Sequence, residues 1–142
     1  MILYLDTSSL VKLYVAEAHS DLVRRWTEEA EIVATCRVAY PEMISALHRR
    51  YRAGDLGRKD YERILAAFAG EWRRFVAMDF DEIAAGHLAA IHGLRGFDAV
   101  HLSACKLLQS AEDALAVAFS SFDEKLNSAA AAEHLTVLRA TP

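Results

Sequence analysis

The stretch MILYLDTSSLVKLYV, residues 1–15, decides the fold class of this 142-residue chain. Its apolar run Ile2 to Leu5 predicts a short buried strand, and Asp6 follows that strand directly. Apolar residues at helical spacing then predict a helix that begins at Ser8. A strand that passes at once into a helix is typical of α/β proteins, in which parallel strands are joined by helical crossovers.

The same alternation of apolar strands and amphipathic helices continues to the end of the chain. It predicts a parallel sheet of about five strands with helices on both faces, a three-layer α/β/α arrangement. The glycines of AGDLG, residues 53–57, indicate the tip of a helical hairpin rather than a domain linker, so we expect one domain over 1–142. Strands are expected at 2–5, 31–35, 75–78, 115–119 and 135–138, and helices at 8–17 continuing into 19–30, 41–52, 59–74, 81–92, 96–108 and 123–134.

Composition narrows the class of protein. The net charge of −4 weighs against a general nucleic-acid coat, but a bound metal and a local basic face are compatible with a nuclease. Cys36 and Cys105 lie 69 positions apart without metal-ligand spacing, so we expect buried thiols in a reducing compartment. The apolar run Ile2 to Leu5 is too short for a signal peptide or a membrane span, which favours a cytoplasmic protein without membrane association.

Four acidic residues from distant parts of the sequence fall near predicted strand ends. Asp6 follows the first strand, and Asp123 follows the fourth after a three-residue turn. Glu42 and Asp98 each lie in the first turn of a helix, and the helix of Asp98, GFDAVHLSACKLL, is apolar on nearly every face. Because the carboxyl ends of parallel strands meet at one edge of a sheet, we expect the four side chains to lie close together.

Any one of these acids alone is also explained as a helix cap or as a partner of the helix dipole. These structural roles do not explain why four acids would gather in one pocket, because two carboxylates about 4 Å apart repel by roughly 4 kcal/mol at an effective dielectric of ~20. Four carboxylates in one pocket therefore require a cation. Oxygen ligands without cysteine or histidine spacing favour Mg²⁺, with Mn²⁺ as a substitute, over Zn²⁺. The sequence thus predicts that Asp98 faces a metal ion.

The motifs MILYLDTSSLVKLYV, YPEMISALHRR, GFDAVHLSA and FSSFDEKLNSAA, in this order, resemble PIN-domain proteins, and they are most similar to the VapC toxins of type II toxin–antitoxin pairs. The resemblance implies a PIN-like fold, a Mg²⁺-dependent endoribonuclease, a homodimer, and a VapB-type antitoxin whose C-terminal segment enters the active-site groove. Many relatives have threonine where Ser121 retains a hydroxyl, and Ser8 falls where relatives often carry a small polar residue. By motif, the resemblance assigns the catalytic and metal-binding roles to Asp6, Glu42, Asp98 and Asp123.

On this hypothesis the four carboxylates bind one or two Mg²⁺ ions, which activate a water for in-line attack on an RNA phosphodiester. The products are 5′-phosphate and 3′-hydroxyl ends, and the expected substrate is tRNA or rRNA. Asp6 and Asp98 are expected to be direct ligands. Glu42 is a ligand or positions the water, and Asp123 acts partly through the groups around the ligands.

Two other features admit more than one interpretation. The basic run His48-Arg49-Arg50-Tyr51-Arg52 binds RNA phosphates or an acidic antitoxin segment, or it is a solvated helix face. His101, one helical turn after Asp98, orients that carboxylate or is a buried core histidine.

Two alternative functions also remain open. The first is a receiver-like phosphoryl-transfer domain in which Asp79 is the phosphoacceptor and Asp6 holds Mg²⁺. Receiver domains usually carry paired acids after the first strand, whereas Asp6 is followed by Thr7 and Ser8. A purely structural role, in a turn and a helix cap, would also explain Asp79 and the nearby Asp81. The second alternative is a non-catalytic PIN-like scaffold.

Overall fold

Strands and helices alternate along the chain in the computed structural model, which describes residues 1–141. All five expected strands are confirmed, and each strand end lies within two residues of the expected position. The last turn of the expected helix at 59–74 is a separate 3₁₀ turn, Trp72–Arg74. The elements are β1 (Ile2–Leu5), α1 (Thr7–Val11), α2 (Ser20–Glu29), β2 (Ile32–Cys36), α3 (Ala39–Arg52), α4 (Arg58–Glu71), β3 (Val76–Met78), α5 (Glu82–His92), α6 (Gly96–Ala111), β4 (Val117–Ser120), α7 (Glu124–Ala132) and β5 (Thr136–Leu138).

The strands form one parallel sheet in the order β3-β2-β1-β4-β5. The central strand β1 is buried along its whole length, and Ile2 pairs with Ile32 on one side and with Val117 on the other. The strand order reverses at β1, because the chain builds β2 and β3 on one side of it and β4 and β5 on the other. In open α/β sheets this switch point is where ligands bind, just beyond the strand ends.

Each face of the sheet carries its own apolar core. Alternate residues of β1 point to opposite faces, so Ile2 and Tyr4 join the core formed with α5, α6 and α7. Leu3 and Leu5 join the second core, which is formed with α1, α3 and α4. The three-layer α/β/α architecture expected from the sequence is confirmed.

The expected long helix after β1 is wrong, because α1 ends at Val11 and α2 begins only at Ser20. Between them Lys12, a residue only 9% exposed, turns its side chain back so that the ammonium donates to the Ala18 carbonyl at 2.9 Å and to Glu17 at 3.1 Å. His19 then adopts a left-handed backbone conformation, with φ of 68°. A nearly buried ammonium needs these partners, and a loop supplies them where a continuous helix would not.

The turn between α3 and α4 is the predicted hairpin tip. Gly54 has a φ of 85°, a conformation that favours glycine, and the Asp55 N–H closes the turn on the Arg50 carbonyl at 2.9 Å. Both cysteines are free and lie in the buried interior, as expected. Within residues 1–141, no helix combines the length and the apolar character needed to cross a bilayer.

Candidate active site

The four predicted acids line one open groove at the carboxyl ends of β1, β2 and β4. The groove has a volume of about 1280 Å³, which exceeds the roughly 300–1,000 Å³ of typical small-molecule pockets. Its size therefore suits a polymer better than a metabolite. The acids that it brings to one surface are Asp6, Glu42, Asp98 and Asp123.

Asp6 is the most deeply placed of the four carboxylates, with 3% of its surface exposed. It caps α1, because its Oδ1 accepts hydrogen bonds from the Ser9 N–H at 3.0 Å and the Ser8 hydroxyl at 2.7 Å. Burial raises the pKa of Asp6, while hydrogen bonds from Ser121, Ser8 and the Ser9 N–H act in the opposite direction. An ionised Asp6 is thus a buried negative charge that a nearby cation would stabilise.

Ser8 also connects Asp6 to the turn that precedes the fourth acid. Its hydroxyl oxygen accepts a hydrogen bond from the Phe122 N–H at 3.0 Å. The Ser121 hydroxyl oxygen in turn accepts from the Asp123 N–H at 3.0 Å, and Asp123 Oδ1 caps α7 by accepting from Leu126 N–H at 2.9 Å. Ser8 and Ser121, the two small hydroxyl residues of the sequence motifs, therefore fix the placement of Asp6 and Asp123.

Glu42 lies in the first turn of α3 and is held by two polar side chains. Its Oε1 accepts from the Thr7 hydroxyl at 2.7 Å and lies 2.8 Å from His101 Nε2. Burial alone would raise the pKa of Glu42, but the hydrogen bonds from His101 and Thr7 outweigh it, so the pKa is lowered. Glu42 is therefore ionised at neutral pH. His101 is 2% exposed, as expected of a buried core histidine, and its imidazole contacts Glu42 rather than Asp98.

Asp98 and Asp123 are joined by Arg95, a residue outside the four acidic motifs. Arg95 Nε donates to Asp98 Oδ2 at 3.0 Å, and its Nη2 donates to Asp123 Oδ2 at 3.3 Å. The Asp98 side chain is only 19% exposed, whereas that of Arg95 is 79% exposed. The spacing of Arg95 and Asp98, three residues apart on a helix start, was the available signal for the first contact. In this structure Asp98 faces a guanidinium.

Helix α6 is also less uniformly buried than its composition suggested. Phe97 is 61% exposed and Leu107 is 41% exposed, so the helix does have a solvent face. Asp98 lies at the margin between that face and the core. A partner for its carboxylate is still needed, and Arg95 supplies one from the solvent side.

The residues present fit a divalent cation, although they do not form a closed cage. Within residues 1–141, no three histidine, cysteine, aspartate or glutamate side chains are arranged closely enough to hold a metal ion. The guanidinium of Arg95 is nevertheless a cation placed between two carboxylates, Asp98 and Asp123, which shows that this position favours positive charge. The available donors are carboxylate and hydroxyl oxygens, the ligands that Mg²⁺ and Mn²⁺ prefer.

Basic and apolar side chains form the walls of the groove around the acids. Arg49 and Arg50 of the basic run line it, together with Lys12. Arg50 donates to Glu17 at 2.6 Å, and Lys12 lies 4.5 Å from the centre of the Phe122 ring. From the opposite side α5, α6 and the segment before α5 contribute apolar residues, among them Phe80, Phe97 and Val100.

Asp79 and Asp81, which follow β3, do not line this groove, although the next acid, Glu82, does. Asp81 caps α5 by accepting from Ile83 N–H at 2.9 Å and Ala84 N–H at 3.0 Å. Asp79 is 78% exposed and pairs with Arg37 at 3.4 Å. A helix cap accounts for Asp81, and an exposed ion pair accounts for Asp79. The receiver-like alternative needs Asp79 beside Asp6, and the structure does not support it.

Comparison with known proteins agrees with this architecture. The sequence profile of the PIN domain matches residues 3–132. Ribonuclease VapC45 of Mycobacterium tuberculosis (strain CDC 1551 / Oshkosh) is 37% identical over 105 residues, which are 72% of this chain and 73% of that protein.

Two solved structures share the fold. That of VapBC-1 from nontypeable Haemophilus influenzae superposes with a TM-score of 0.65 at 14% identity, over 97% of each chain. That of Mycobacterium tuberculosis VapC20, described as a Sarcin-Ricin loop cleaving toxin, superposes with a TM-score of 0.61 at 15% identity, over 89% of this chain and 94% of that one. The motifs, the sheet order and these matches together show that the chain belongs to the PIN domain family, among the VapC ribonucleases.

Proposed function

We propose that the chain is a Mg²⁺-dependent endoribonuclease and the toxin of a VapBC-type toxin–antitoxin pair. The observation that carries this proposal is the convergence of Asp6, Glu42, Asp98 and Asp123 on one groove at the switch point of the sheet. A non-catalytic scaffold would have no need of four carboxylates that repel one another in the absence of a cation. Their retention together favours catalysis over the scaffold alternative.

Asp6 and Asp98 would hold the metal, with Asp123 acting partly through the groups around the ligands, and the metal would take the place of the Arg95 guanidinium. A bound Mg²⁺ would neutralise charge on the scissile phosphate and lower the pKa of a water molecule. The Arg95 side chain is mostly exposed and can leave the carboxylates without disturbing the core. Mn²⁺ would substitute because it accepts the same oxygen ligands.

Glu42 would orient the attacking water, as the ionised carboxylate best fixed in the groove. Its Oε1 accepts from both Thr7 and His101, which leaves Oε2 for a water or another ligand. Arg49 would bind an RNA phosphate on the groove wall, and hydrolysis would leave 5′-phosphate and 3′-hydroxyl ends.

The substrate that we propose is a structured RNA, either rRNA or tRNA, because the groove is open and larger than a small-molecule pocket. The structural neighbour VapC20 is described as cleaving the Sarcin-Ricin loop, which supports an rRNA as the first substrate to test.

The partner that we propose is a VapB-type antitoxin whose C-terminal segment enters the groove, and the likeness to VapBC-1 supports it. We also propose a homodimer. Exposed Ile83 and Ile91 on α5, with Phe97 on α6, offer an apolar surface for an interface. Among residues 1–141, none of the large exposed apolar side chains lies on α3 or α4, the two helices that flank Gly54.

The proposal is tested by incubating the purified chain with a mixed pool of tRNA and rRNA, with Mg²⁺, with Mn²⁺ and with EDTA. We expect discrete fragments with either metal, none with EDTA, and 5′-phosphate ends on the fragments. Equal cleavage in EDTA, or 2′,3′-cyclic phosphate ends, would show that the carboxylate site does not act through a divalent ion.

A further inference from the structure

A chain of hydrogen bonds runs from the buried core to the groove through His101. The Tyr4 hydroxyl lies 2.8 Å from His101 Nδ1, and His101 Nε2 lies 2.8 Å from Glu42 Oε1. Thr7 completes the group, with its hydroxyl oxygen 2.7 Å from Glu42 Oε1 and 3.1 Å from His101 Nε2. Residues far apart in the sequence thus connect β1, α1, α3 and α6 at one point.

One assignment of protons satisfies all four of these contacts. The Tyr4 hydroxyl donates to His101 Nδ1, and the proton on Nε2 is then shared between Glu42 Oε1 and the Thr7 hydroxyl oxygen. The Thr7 hydroxyl donates its own proton to Glu42 Oε1. Every donor has an acceptor in this arrangement, as buried polar groups require.

The other neutral tautomer is excluded by the same contacts. With the proton on Nδ1, the lone pair of Nε2 would face the Glu42 carboxylate at 2.8 Å, an acceptor against an acceptor. An imidazolium would direct its Nδ1 proton at the Tyr4 oxygen, so the phenol proton would lose the acceptor that Nδ1 provides. Glu42 therefore requires the proton on Nε2, and the Tyr4 phenol, by donating to Nδ1, keeps that second nitrogen unprotonated.

Tyr4 and His101 are too deeply buried to touch a substrate. Tyr4 is fully buried in the central strand and His101 is 2% exposed. The Tyr4 ring stacks on Phe119, with centroids 5.7 Å apart, and meets the His101 ring edge to face at 5.9 Å. Their orientation is thus fixed by the core, so any influence that they have on the groove passes through Glu42.

We propose that Tyr4 and His101 are positioning residues for Glu42, with the Tyr4 phenol holding His101 in the Nε2–H tautomer that pins Glu42 Oε1. Together with Thr7, this tautomer leaves Oε2 as the oxygen that Glu42 offers to the groove. The proton assignment stands on the geometry of the metal-free chain. Only its consequence for catalysis rests on the proposed ribonuclease function.

The tautomer is measured directly by long-range ¹H–¹⁵N correlation spectra of the metal-free chain labelled with ¹⁵N-histidine. The five other histidines are replaced singly by glutamine to assign the His101 signals. We expect a pyridine-like Nδ1 and a pyrrole-like Nε2 for His101, and loss of this single tautomer in Tyr4→Phe. A protonated Nδ1 in the wild-type chain, or a spectrum of His101 unchanged in Tyr4→Phe, would overturn the proposal.

Cleavage kinetics supply the second readout. Loss of such an orienting partner typically costs about 10- to 100-fold, so we expect Tyr4→Phe to lower kcat at least about tenfold with KM for RNA unchanged. His101→Gln, whose amide can still donate to Glu42, should retain several-fold more activity than His101→Leu. Equal losses in His101→Gln and His101→Leu, at matched thermal stability, would contradict the positioning role.

Tyr14→Phe is the matched control. The Tyr14 hydroxyl donates to Glu71 at 2.6 Å on the opposite face of the sheet, so loss of this hydroxyl should leave kcat unchanged. The two proposals fail separately. A wild-type chain that does not cleave RNA refutes the ribonuclease function, while the NMR result decides the tautomer on its own.

Discussion

Asp98 and Asp123 share one cation, the guanidinium of Arg95, which lies 3.0 Å from the first carboxylate and 3.3 Å from the second. The hydrogen bond to Asp98, and the charges of Asp98 and Asp123, raise the pKa of Arg95. The guanidinium thus neutralises part of the charge of both carboxylates. On the proposed function, a divalent metal would compete with the guanidinium for the same oxygens.

The first prediction follows from this competition. Arg95→Gln removes the competing cation, so we expect Mn²⁺ to bind several-fold more tightly than to the wild-type chain, as measured by calorimetry. Arg63→Gln is the control, because Arg63 pairs with Asp60 three residues away on the exposed start of α4. Weaker or unchanged Mn²⁺ binding in Arg95→Gln would show that the guanidinium does not occupy the metal position.

The second prediction concerns the stability of the metal-free chain. Burial raises the pKa of Asp6 above its ordinary 3.8, so this group favours folding most at low pH and its contribution is lost as pH rises through the folded-state pKa. Asp6→Asn stays neutral and can still cap α1. In EDTA at pH 7 we expect the variant to melt a few degrees above wild type while cleaving no RNA.

Thermal unfolding in EDTA from pH 4 to pH 8 checks the sign of this effect. The gap in Tm between Asp6→Asn and wild type should narrow as pH falls toward 4, because wild-type Asp6 then becomes protonated as well. A gap that widens toward low pH, or a variant less stable at every pH, would mean that the ionised carboxylate stabilises the fold.

The third prediction separates the basic residues that line the groove from those that do not. Arg49 lines the groove, while Arg52 of the same basic run is exposed beyond it. We measure the RNA binding constant in EDTA over a range of salt concentrations and plot its logarithm against the logarithm of the salt concentration. In Arg49→Gln the slope of this plot should be less steep than in the wild-type chain by about 0.7, the loss of one phosphate contact. Arg52→Gln should leave the slope unchanged. The same loss of slope in both variants would mean that a diffuse charge, not the groove wall, binds the phosphates.

The fold and the positions of Asp6 and Asp123 could be predicted because they depend on local pattern. An apolar strand followed by an acid and a helix places that acid at the carboxyl edge of the sheet, whatever the rest of the chain does. Asp6 and Asp123 both follow this rule and both cap the helices that follow their strands. The resemblance to VapC toxins added the order of the motifs.

The partners of the acids could not be predicted, because they come from distant positions. His101 reaches Glu42 across 59 residues, and Arg95 reaches Asp123 across 28. Helical spacing offered Asp98 as a partner for His101, whereas the ring contacts the Tyr4 hydroxyl through Nδ1 and Glu42 through Nε2. The break after α1 was hidden for the same reason, since it depends on where the Lys12 ammonium finds its acceptors.

The most direct test of the carboxylate site is the rate of RNA cleavage with Mg²⁺ by Asp98→Asn, compared with Asp60→Asn. Both residues lie in the first turn of a helix and both pair with an arginine three positions away, but Asp60 lies on exposed α4. We predict that Asp98→Asn lowers the rate at least about 100-fold and that Asp60→Asn leaves it unchanged. Cleavage by Asp98→Asn at the wild-type rate would contradict the assignment of these carboxylates as the catalytic site.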